Sequence, residues 1–261
     1  MSSEEPYLDK KQNKKLDYAI QRVIARDGVD RKTIDEVFDT STLLSIEKLI
    51  SDKIIDYVDF PISTGKEGNV FLAKTPEKTN VALKIFRIST ATFKHMNQYL
   101  LGDPRFQSIH KSRRDITYAW TSKEWKNLQL LDEIKVRAPK PIKKNNNVLV
   151  MEFIGNNRQS APLLKNITPK NPEQTFKEIL IMMKKMYRKA KLVHSDLSPY
   201  NILYFHHKPY IIDLGQGVLL DHPNADLFLR RDIHNIISYF NKYKIDADEQ
   251  EVYKEITGKN G

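Results

Sequence analysis

The stretch Leu192–Gly217, LVHSDLSPYNILYFHHKPYIIDLGQG, constrains this chain more than any other. It places His194, Asp196 and Asn201 in an H-x-D-L-x-x-x-N pattern, and Asp213 begins a D-x-G pattern further on. Phosphoryl transfer requires a carboxylate near the attacking oxygen, together with an amide and a second carboxylate that hold Mg²⁺ on the phosphates. Asp196, Asn201 and Asp213 supply these groups, so the pattern predicts a phosphoryl-transfer site.

Two short apolar runs lie within this stretch, Ile202–Tyr204 and Tyr210–Ile212, and they predict a pair of strands. A hairpin of these strands would bring Asn201 and Asp213 to the same end. The alternative is that H-S-D and D-L-G are ordinary turn sequences, because His, Asp, Asn and Gly all favour turns. Either string alone fits that alternative, but the order and spacing of both favour the phosphoryl-transfer interpretation.

Composition excludes several classes of protein. The chain has 261 residues, enough for a large or two-lobed domain, and no cysteine, which excludes disulfides and thiolate chemistry. The amino-terminal segment is polar, and no apolar run approaches the length that spans a bilayer. We therefore expect a cytoplasmic protein without a membrane partner.

The formal charge of +10 is concentrated in the middle of the chain. Residues 84–144 contain 14 Lys and Arg against 5 Asp and Glu, whereas residues 1–50 are nearly balanced. One interpretation is a solvated lysine-rich surface. The other is a positive field that attracts nucleotide phosphates and an RNA-containing partner, and charge alone does not separate the two.

The first 50 residues have helical apolar spacing and predict three short helices, with Ser41 or Thr42 as a helix N-cap. We expect this extension to pack on a larger body. A small DNA-binding domain is the alternative, but the segment is neutral and contains no arginine-rich recognition helix.

Residues 54–90 change to the pattern strand, glycine loop, strand, turn, strand. Glycine removes the Cβ obstruction, so a loop with Gly65 and Gly68 lets backbone N–H groups approach phosphate oxygens. The loop is not a Walker A motif, because G-K-E stands where G-K-[S/T] is required and a strand comes next. The predicted phosphate-binding residues of this segment are Ser63, Thr64, Gly65, Lys66, Glu67 and Val70.

Lys84 lies in V-A-L-K, on the last of these strands. A lysine that points inward from a strand needs an anion, and the α and β phosphates and a helix glutamate are the usual anions in this context. We expect the glutamate to be Glu124, which borders the apolar stripe of a helix predicted over residues 117–132. The alternative is an edge-strand lysine that faces solvent.

The segment between them, Ser89–Asp115, is polar and rich in turn residues, and we expect a mobile insert there. Ser108 and Ser112 lie beside arginines and are candidates for self-phosphorylation, although both fit equally well as solvated hydroxyls.

The run Val148–Gly155 predicts a buried strand that continues into a turn. In a bilobal nucleotide enzyme this segment would link the lobes. Met151, Glu152 and Ile154 are then the predicted adenine-contacting residues, the last two through backbone groups.

These motifs together resemble the RIO family of atypical serine/threonine protein kinases. The signatures are STGKEGNVF at Ser63–Phe71, LVHSDLSPYN at Leu192–Asn201 and IIDLGQGV at Ile211–Val218. The S-T-G-K-E loop, with no room for a full amino-terminal winged helix, resembles the type 1 branch. Gly68, where alanine is usual in that branch, is a small departure.

The resemblance implies ATP with Mg²⁺ or Mn²⁺, serine/threonine kinase or ATPase activity, autophosphorylation, and a role in maturation of the small ribosomal subunit and its RNA. By motif, Lys84 binds phosphates, Asp196 is the catalytic aspartate, and Asn201 and Asp213 hold the metal. Asp213 also becomes a catalytic candidate, because the resemblance implies that it accepts a phosphoryl group. Glu124 lies in KEWKNL, which resembles the family's helix-glutamate context.

Departures from ordinary protein kinases narrow the expected activity. His194-Ser195-Asp196 lacks the arginine of H-R-D, so the usual pairing of that arginine with a phosphorylated activation loop is excluded. No A-P-E comes after Asp213, and the short remainder leaves little room for a peptide-binding region. ATP turnover coupled to a ribosomal partner is therefore favoured over a general protein-substrate groove.

We thus expect an α+β, bilobal protein-kinase-like (RIO) fold with an antiparallel amino-terminal lobe and a truncated, mainly helical carboxyl-terminal lobe. The expected divisions are a helical extension over residues 1–50, the first lobe over 51–152 with a mobile insert at 89–115, and the second lobe over 153–261. Two other functions stay open: a pre-ribosome interaction module that binds ATP with negligible turnover, and a small-molecule kinase. The latter would need an acidic pocket, which the basic middle of the chain disfavours.

Overall fold

The computed structural model describes residues 10–24, 38–65, 68–88, 96, 99–100, 102–106 and 112–258. The chain divides into two compact units. The first comprises residues 1–87 and 142–151, and the second comprises residues 88–141 and 152–261. Helix Arg113–Glu133 thus falls in the second unit, whereas the sequence-based division assigns it to the first lobe. That division into lobes stays a prediction.

The first unit begins with two helices, α1 (Lys10–Ile24) and α2 (Thr40–Ser51). Asp39 is the N-cap of α2, because its carboxylate accepts a hydrogen bond of 2.7 Å from the Thr42 N–H. The prediction of Ser41 or Thr42 as the cap is wrong, since the capping carboxylate lies earlier in the chain. The helix expected between α1 and α2 falls mostly on residues outside the described part.

A five-stranded sheet carries the rest of this unit, in the spatial order β1-β2-β3-β5-β4. Antiparallel pairing joins β1 to β2 and β2 to β3. Apolar side chains of α1 and α2, among them Ala19, Val23 and Ile46, share one buried core with strand residues such as Phe71 and Leu83. The strands are β1 (Tyr57–Thr64), β2 (Gly68–Lys74), β3 (Asn80–Phe86), β4 (Pro141–Asn145) and β5 (Val148–Glu152).

The second unit is mainly helical, and short strand pairs interrupt its helices. A π-helical turn, Met186–Ala190, continues one helix into the strand that precedes His194. Within the described residues, no helix combines the length and the apolar character needed to cross a bilayer. The elements are α3 (Arg113–Glu133), β6 (Gly155–Asn156), β7 (Gln159–Ser160), α4 (Pro172–Lys185), β8 (Leu192–Val193), β9 (Ile202–Phe205), β10 (Lys208–Ile211), β11 (Val218–Leu219), α5 (Ala225–Asn241) and α6 (Glu249–Thr257).

Candidate active site

The β9–β10 hairpin brings the two predicted metal ligands to one end. Ile202 pairs with Ile211, and beyond that pair the N–H of Ile212 donates a hydrogen bond of 3.0 Å to the carbonyl of Asn201. Asp213 comes next in a left-handed conformation, with φ of 63°. Asn201 and Asp213 therefore flank the open end of the hairpin, as the two apolar runs predicted.

Asp196 belongs to the same cluster. The side-chain amide of Asn201 donates to the main-chain carbonyl of Asp196 at 2.8 Å and to its carboxylate at 3.1 Å. The amide of Gln216 donates to the same carboxylate oxygen at 3.3 Å. The two amides hold the half-buried carboxylate in one orientation, while Gln216 ties it to the segment after Asp213. Gln216 was not predicted, because glutamine in a turn carries no distinctive signal.

The donor set fits a hard divalent cation. The amide nitrogen of Asn201 is committed to Asp196, so its oxygen is the atom that would suit a metal, together with the carboxylate of Asp213. The described residues contain no group of three or more His, Cys, Asp or Glu that could hold a metal ion. Mg²⁺ is commonly held by only one or two protein oxygens, with phosphates and waters completing its shell, and the two predicted ligands match that pattern.

Asp232 of α5 fixes the main chain on both sides of Asp196. Its carboxylate accepts hydrogen bonds of 2.8 Å from the N–H groups of Ser195 and Leu197. Burial raises the pKa of Asp232 to about 8, although the two N–H groups lower it. The side chains of Arg231 and Asn235 donate to the carbonyls of Ser195 and Leu197 respectively.

Asp232 was not predicted to have a role. A usable signal was present, because an aspartate lies among the buried apolar residues Phe228, Leu229, Ile233 and Ile236. A carboxylate on the buried face of a helix needs donors, and main-chain N–H groups are a common source.

His194 is buried and joins the two signature segments. Its Nε2 lies 3.0 Å from the carbonyl of Ile212, so Nε2 carries the proton and donates. Burial lowers the pKa of His194 from its ordinary value of 6.5. The imidazole is thus neutral at pH 7, and its role is to hold Ile212, the residue before Asp213, beside the segment that carries Asp196.

A main-chain hydrogen bond fixes the conformation of the glycine loop in the first unit. Ser63 and Thr64 are exposed at the end of β1, and the N–H of Gly65 donates to the carbonyl of Gly68 at 2.9 Å. A Cβ on Gly68 would lie 2.4 Å from the Ile85 carbonyl, so a side chain at this position would require the main chain of β2 or β3 to shift. Lys66 and Glu67, also predicted to bind phosphate, lie outside the described residues.

Lys84 lies on β3, in the middle of the sheet order, directly opposite Val70 of β2. Its side chain is largely buried, and Nζ lies 4.9 Å from the centre of the Phe86 ring. The alternative of a solvent-facing edge lysine is therefore wrong. Glu124 lies on α3 and is 1% exposed, and its pairing with Lys84 stays a prediction.

The predicted adenine-contacting segment has part of its main chain already engaged. The N–H of Glu152 donates to the Lys140 carbonyl at 2.8 Å, and the carbonyl of Ile154 accepts from Ala161 at 2.9 Å. The prediction of backbone contacts to adenine therefore narrows to two groups, the carbonyl of Glu152 and the N–H of Ile154. Met151 is buried near the end of β5.

Much of the predicted mobile insert, including Ser108, lies outside the described residues. Three of its described residues are deeply buried: Met96, Tyr99 and Asp103 are each at most 2% exposed. Ser112 is the N-cap of α3, where its exposed hydroxyl accepts from the Asp115 N–H. Mobility of the remainder and phosphorylation of either serine stay predictions.

Comparisons with known proteins show which family the chain belongs to. The RIO domain family matches residues 69–252. Two archaeal proteins, both named RIO-type serine/threonine-protein kinase Rio1, are similar over most of their length. The Haloferax volcanii protein is 41% identical and covers 95% of this chain and 85% of its own. The Methanocaldococcus jannaschii protein is 42% identical, and the match covers 88% of this chain and 79% of that protein.

Solved structures show the same fold. The Rio2 kinase–ADP/Mg²⁺–phosphoaspartate complex from Chaetomium thermophilum superposes with a TM-score of 0.64, at 19% identity, over 85% of this chain and 68% of that one. The fold and the site thus define an α+β protein of the protein-kinase-like class, as predicted. Within that class, the chain belongs to the RIO family of atypical serine/threonine protein kinases, in its type 1 branch.

Proposed function

We propose that this RIO-type kinase is an ATP-dependent serine/threonine kinase and ATPase that autophosphorylates and acts in small ribosomal subunit maturation. The observation that carries the catalytic part is the cluster at the end of the β9–β10 hairpin. There Asn201 and Gln216 orient the Asp196 carboxylate, while Asp213 comes directly after the residue hydrogen-bonded to Asn201. These are the carboxylate, amide and second carboxylate that phosphoryl transfer requires.

Each residue has one role in this proposal. Asp196 orients the attacking hydroxyl or water and takes its proton. Lys84 binds the α and β phosphates and Glu124 pairs with it, while Asn201 and Asp213 hold a divalent metal, Mg²⁺ or Mn²⁺, which supplies charge stabilisation on the phosphates. The glycine loop, Ser63–Glu67 with Val70, covers the phosphates, and Met151, Glu152 and Ile154 contact the adenine.

ATPase turnover through Asp213 is the second half of the proposal. A carboxylate oxygen of Asp213 attacks the γ-phosphorus, the bond to the ADP oxygen breaks, and water later hydrolyses the aspartyl-phosphate to free phosphate. Support comes from the resemblance to the type 1 branch and from the structurally similar Rio2 kinase, which was solved as a phosphoaspartate complex. The main chain turns at Asp213, whose φ is 63°.

The ribosomal role in this proposal has two supports. It is supported by the family resemblance and by the basic surplus of residues 84–144, which suits a partner rich in phosphate. A cytoplasmic location, predicted from the polar amino-terminal segment and the lack of an apolar run long enough to span a bilayer, is part of the same proposal. Autophosphorylation at Ser112 would use an exposed hydroxyl at a helix N-terminus, where negative charge is favourable, and would break the hydrogen bond that this hydroxyl donates to the Asp115 carboxylate.

The test is incubation of purified protein with γ-³²P-ATP and Mn²⁺ or Mg²⁺, for wild type, Asp196→Asn, Asp213→Asn and a control, Asp246→Asn, at an exposed loop position. Hydroxylamine-labile label that is lost in Asp213→Asn supports the aspartyl-phosphate cycle. Stable label that is lost in Asp196→Asn, and reduced in Ser108→Ala or Ser112→Ala, supports serine autophosphorylation. Nucleotide binding without label or phosphate release would instead support the interaction module.

A further inference from the structure

One face of α3 packs against the segment after Asp213. Trp120, Lys123 and Asn127 lie three and four residues apart, which places them on one side of a helix. A Cβ on Gly215 would lie 2.9 Å from the Trp120 indole nitrogen, so the ring is in close contact with the D-x-G glycine. Glu124 and Leu128, neighbours of these residues on the helix, are also buried.

Two side chains of this face bind main-chain oxygens of the segment. The Asn127 amide donates to the carbonyls of Leu214 and Gly217, at 2.8 and 2.9 Å. Lys123, whose side chain is fully buried, donates through Nζ to the carbonyl of Gly217. Both are 87 or more residues away in sequence from the carbonyls they hold.

The segment packs closely against Asn127. A Cβ on Gly217 would lie 2.9 Å from the Asn127 amide nitrogen and 3.2 Å from the Leu214 carbonyl. Leu214 is itself fully buried. The turn that carries Asp213 is thus clamped from one side by a single helix.

Lys123 is in turn placed by the described part of the insert. Asp103, also fully buried, lies 3.9 Å from Lys123 Nζ and makes a two-pronged ion pair with Arg105, at 2.9 and 2.6 Å. A buried ammonium needs an anion nearby and acceptors for its protons. Asp103 and the Gly217 carbonyl supply them.

The geometry points to Lys123 and Asn127 as positioning residues that set Asp213 for metal binding, with Asp103 acting through Lys123. The inference rests on the proposed function, in which Asp213 is a metal ligand, and deepens it. Neither residue touches the metal or the nucleotide in this scheme. Groups that orient a metal ligand typically change metal affinity by about 10- to 100-fold when they are removed.

The substitutions are Asn127→Leu, which is nearly isosteric and removes both donors, and Lys123→Met, which keeps the chain and removes the ammonium. The matched controls are Gln129→Leu and Lys126→Met, at exposed positions of the same helix. The primary readout is calorimetric titration of Mn²⁺ into protein saturated with ADP. ADP affinity without metal is measured in parallel.

We expect the Mn²⁺ dissociation constant to rise at least about tenfold in both variants, with ADP affinity in the absence of metal within about twofold and the controls like wild type. A merely structural role would lower the fraction of protein that binds, which calorimetry reports as stoichiometry, and would leave the dissociation constant unchanged. A Mn²⁺ constant within about twofold of wild type in both variants overturns the inference.

Asp103→Asn tests the same network without placing an apolar group among buried polar atoms, and applies if Lys123→Met does not fold. A smaller rise, about three- to tenfold, is expected because Lys123 keeps its bond to Gly217, and no rise would count against the role of Asp103. The wild type separates the two proposals. If it binds ADP and Mn²⁺ normally and the variants do too, only this inference fails; if it binds neither, the proposed function fails with it.

Discussion

The two segments predicted to handle ATP are held in place by different means. The glycine loop of the first unit is fixed by main-chain pairing, through the Gly65–Gly68 hydrogen bond and the β2–β3 register. The segments carrying Asp196 and Asp213 are fixed by buried polar side chains of α3 and α5, above all Asp232 and Asn127. A loop that binds phosphate through its N–H groups needs only the correct backbone conformation. A catalytic or metal-binding carboxylate must also point in a defined direction, and this requires directional contacts to the chain around it.

The largest effect that would test this difference is expected from Asp232→Ala. The N–H groups of Ser195 and Leu197 would lose their acceptor inside the protein, at a cost of about 1–3 kcal/mol each. We expect the free energy of unfolding in urea to fall by roughly 2–6 kcal/mol, and ATP turnover per folded molecule to fall as well. Asp246→Ala, at an exposed loop position, is the control. A loss below about 1 kcal/mol would show that the α5 side chain does not hold this segment.

An intermediate effect is expected from the buried lysine of α3. Burial lowers the pKa of Lys123 from 10.5 to about 7, with Arg105 acting in the same direction and Asp103 and Glu124 against it. Between pH 7 and 10.5 the unfolded chain therefore binds a proton that the folded chain does not. Stability consequently rises with pH in this interval, by up to about 1.4 kcal/mol per unit.

Urea unfolding of wild type and Lys123→Met at about pH 7.5 and about pH 9.5 measures this dependence. We expect wild type to gain roughly 2–3 kcal/mol relative to the variant across that interval. Lys126→Met, which removes an exposed lysine of the same helix, should show no such difference from wild type. Parallel pH profiles for wild type and Lys123→Met would mean that the ammonium keeps its ordinary pKa.

The smallest effect on stability is expected from Gly65→Ala in the first unit. The added Cβ would lie 3.2 Å from the Gly68 carbonyl, a tight contact that a small shift of the exposed loop relieves. We expect unfolding free energy to change by less than about 1 kcal/mol. The KM for ATP should nevertheless rise several-fold, because the methyl group obstructs the approach of phosphate to the loop. Thr79→Ala, in the exposed β2–β3 turn, is the control, and an unchanged KM would argue against a phosphate-binding loop.

Local pattern was sufficient for much of the fold. The change of pattern over residues 54–90 predicted β1 to β3, helical spacing predicted α3 to within about four residues at its start, and two apolar runs predicted the β9–β10 hairpin. These elements can be read from the sequence because their hydrogen bonds join residues close along the chain. The α2 cap was mispredicted because Asp39, Ser41 and Thr42 all have cap chemistry, and only the backbone conformation at Asp39 distinguishes them.

The sequence by itself determined which residues are predicted to carry the chemistry: type and spacing indicated Asp196, Asn201 and Asp213, and the strand pattern indicated Lys84. Only the tertiary structure decided which side chains hold them, since the main-chain atoms that Asp232, Lys123 and Asn127 bind lie 35 to 94 residues away. Every residue type presents the same carbonyl and, proline excepted, the same N–H. A contact to the main chain therefore leaves no signature in the sequence of its partner, and folding alone reveals it.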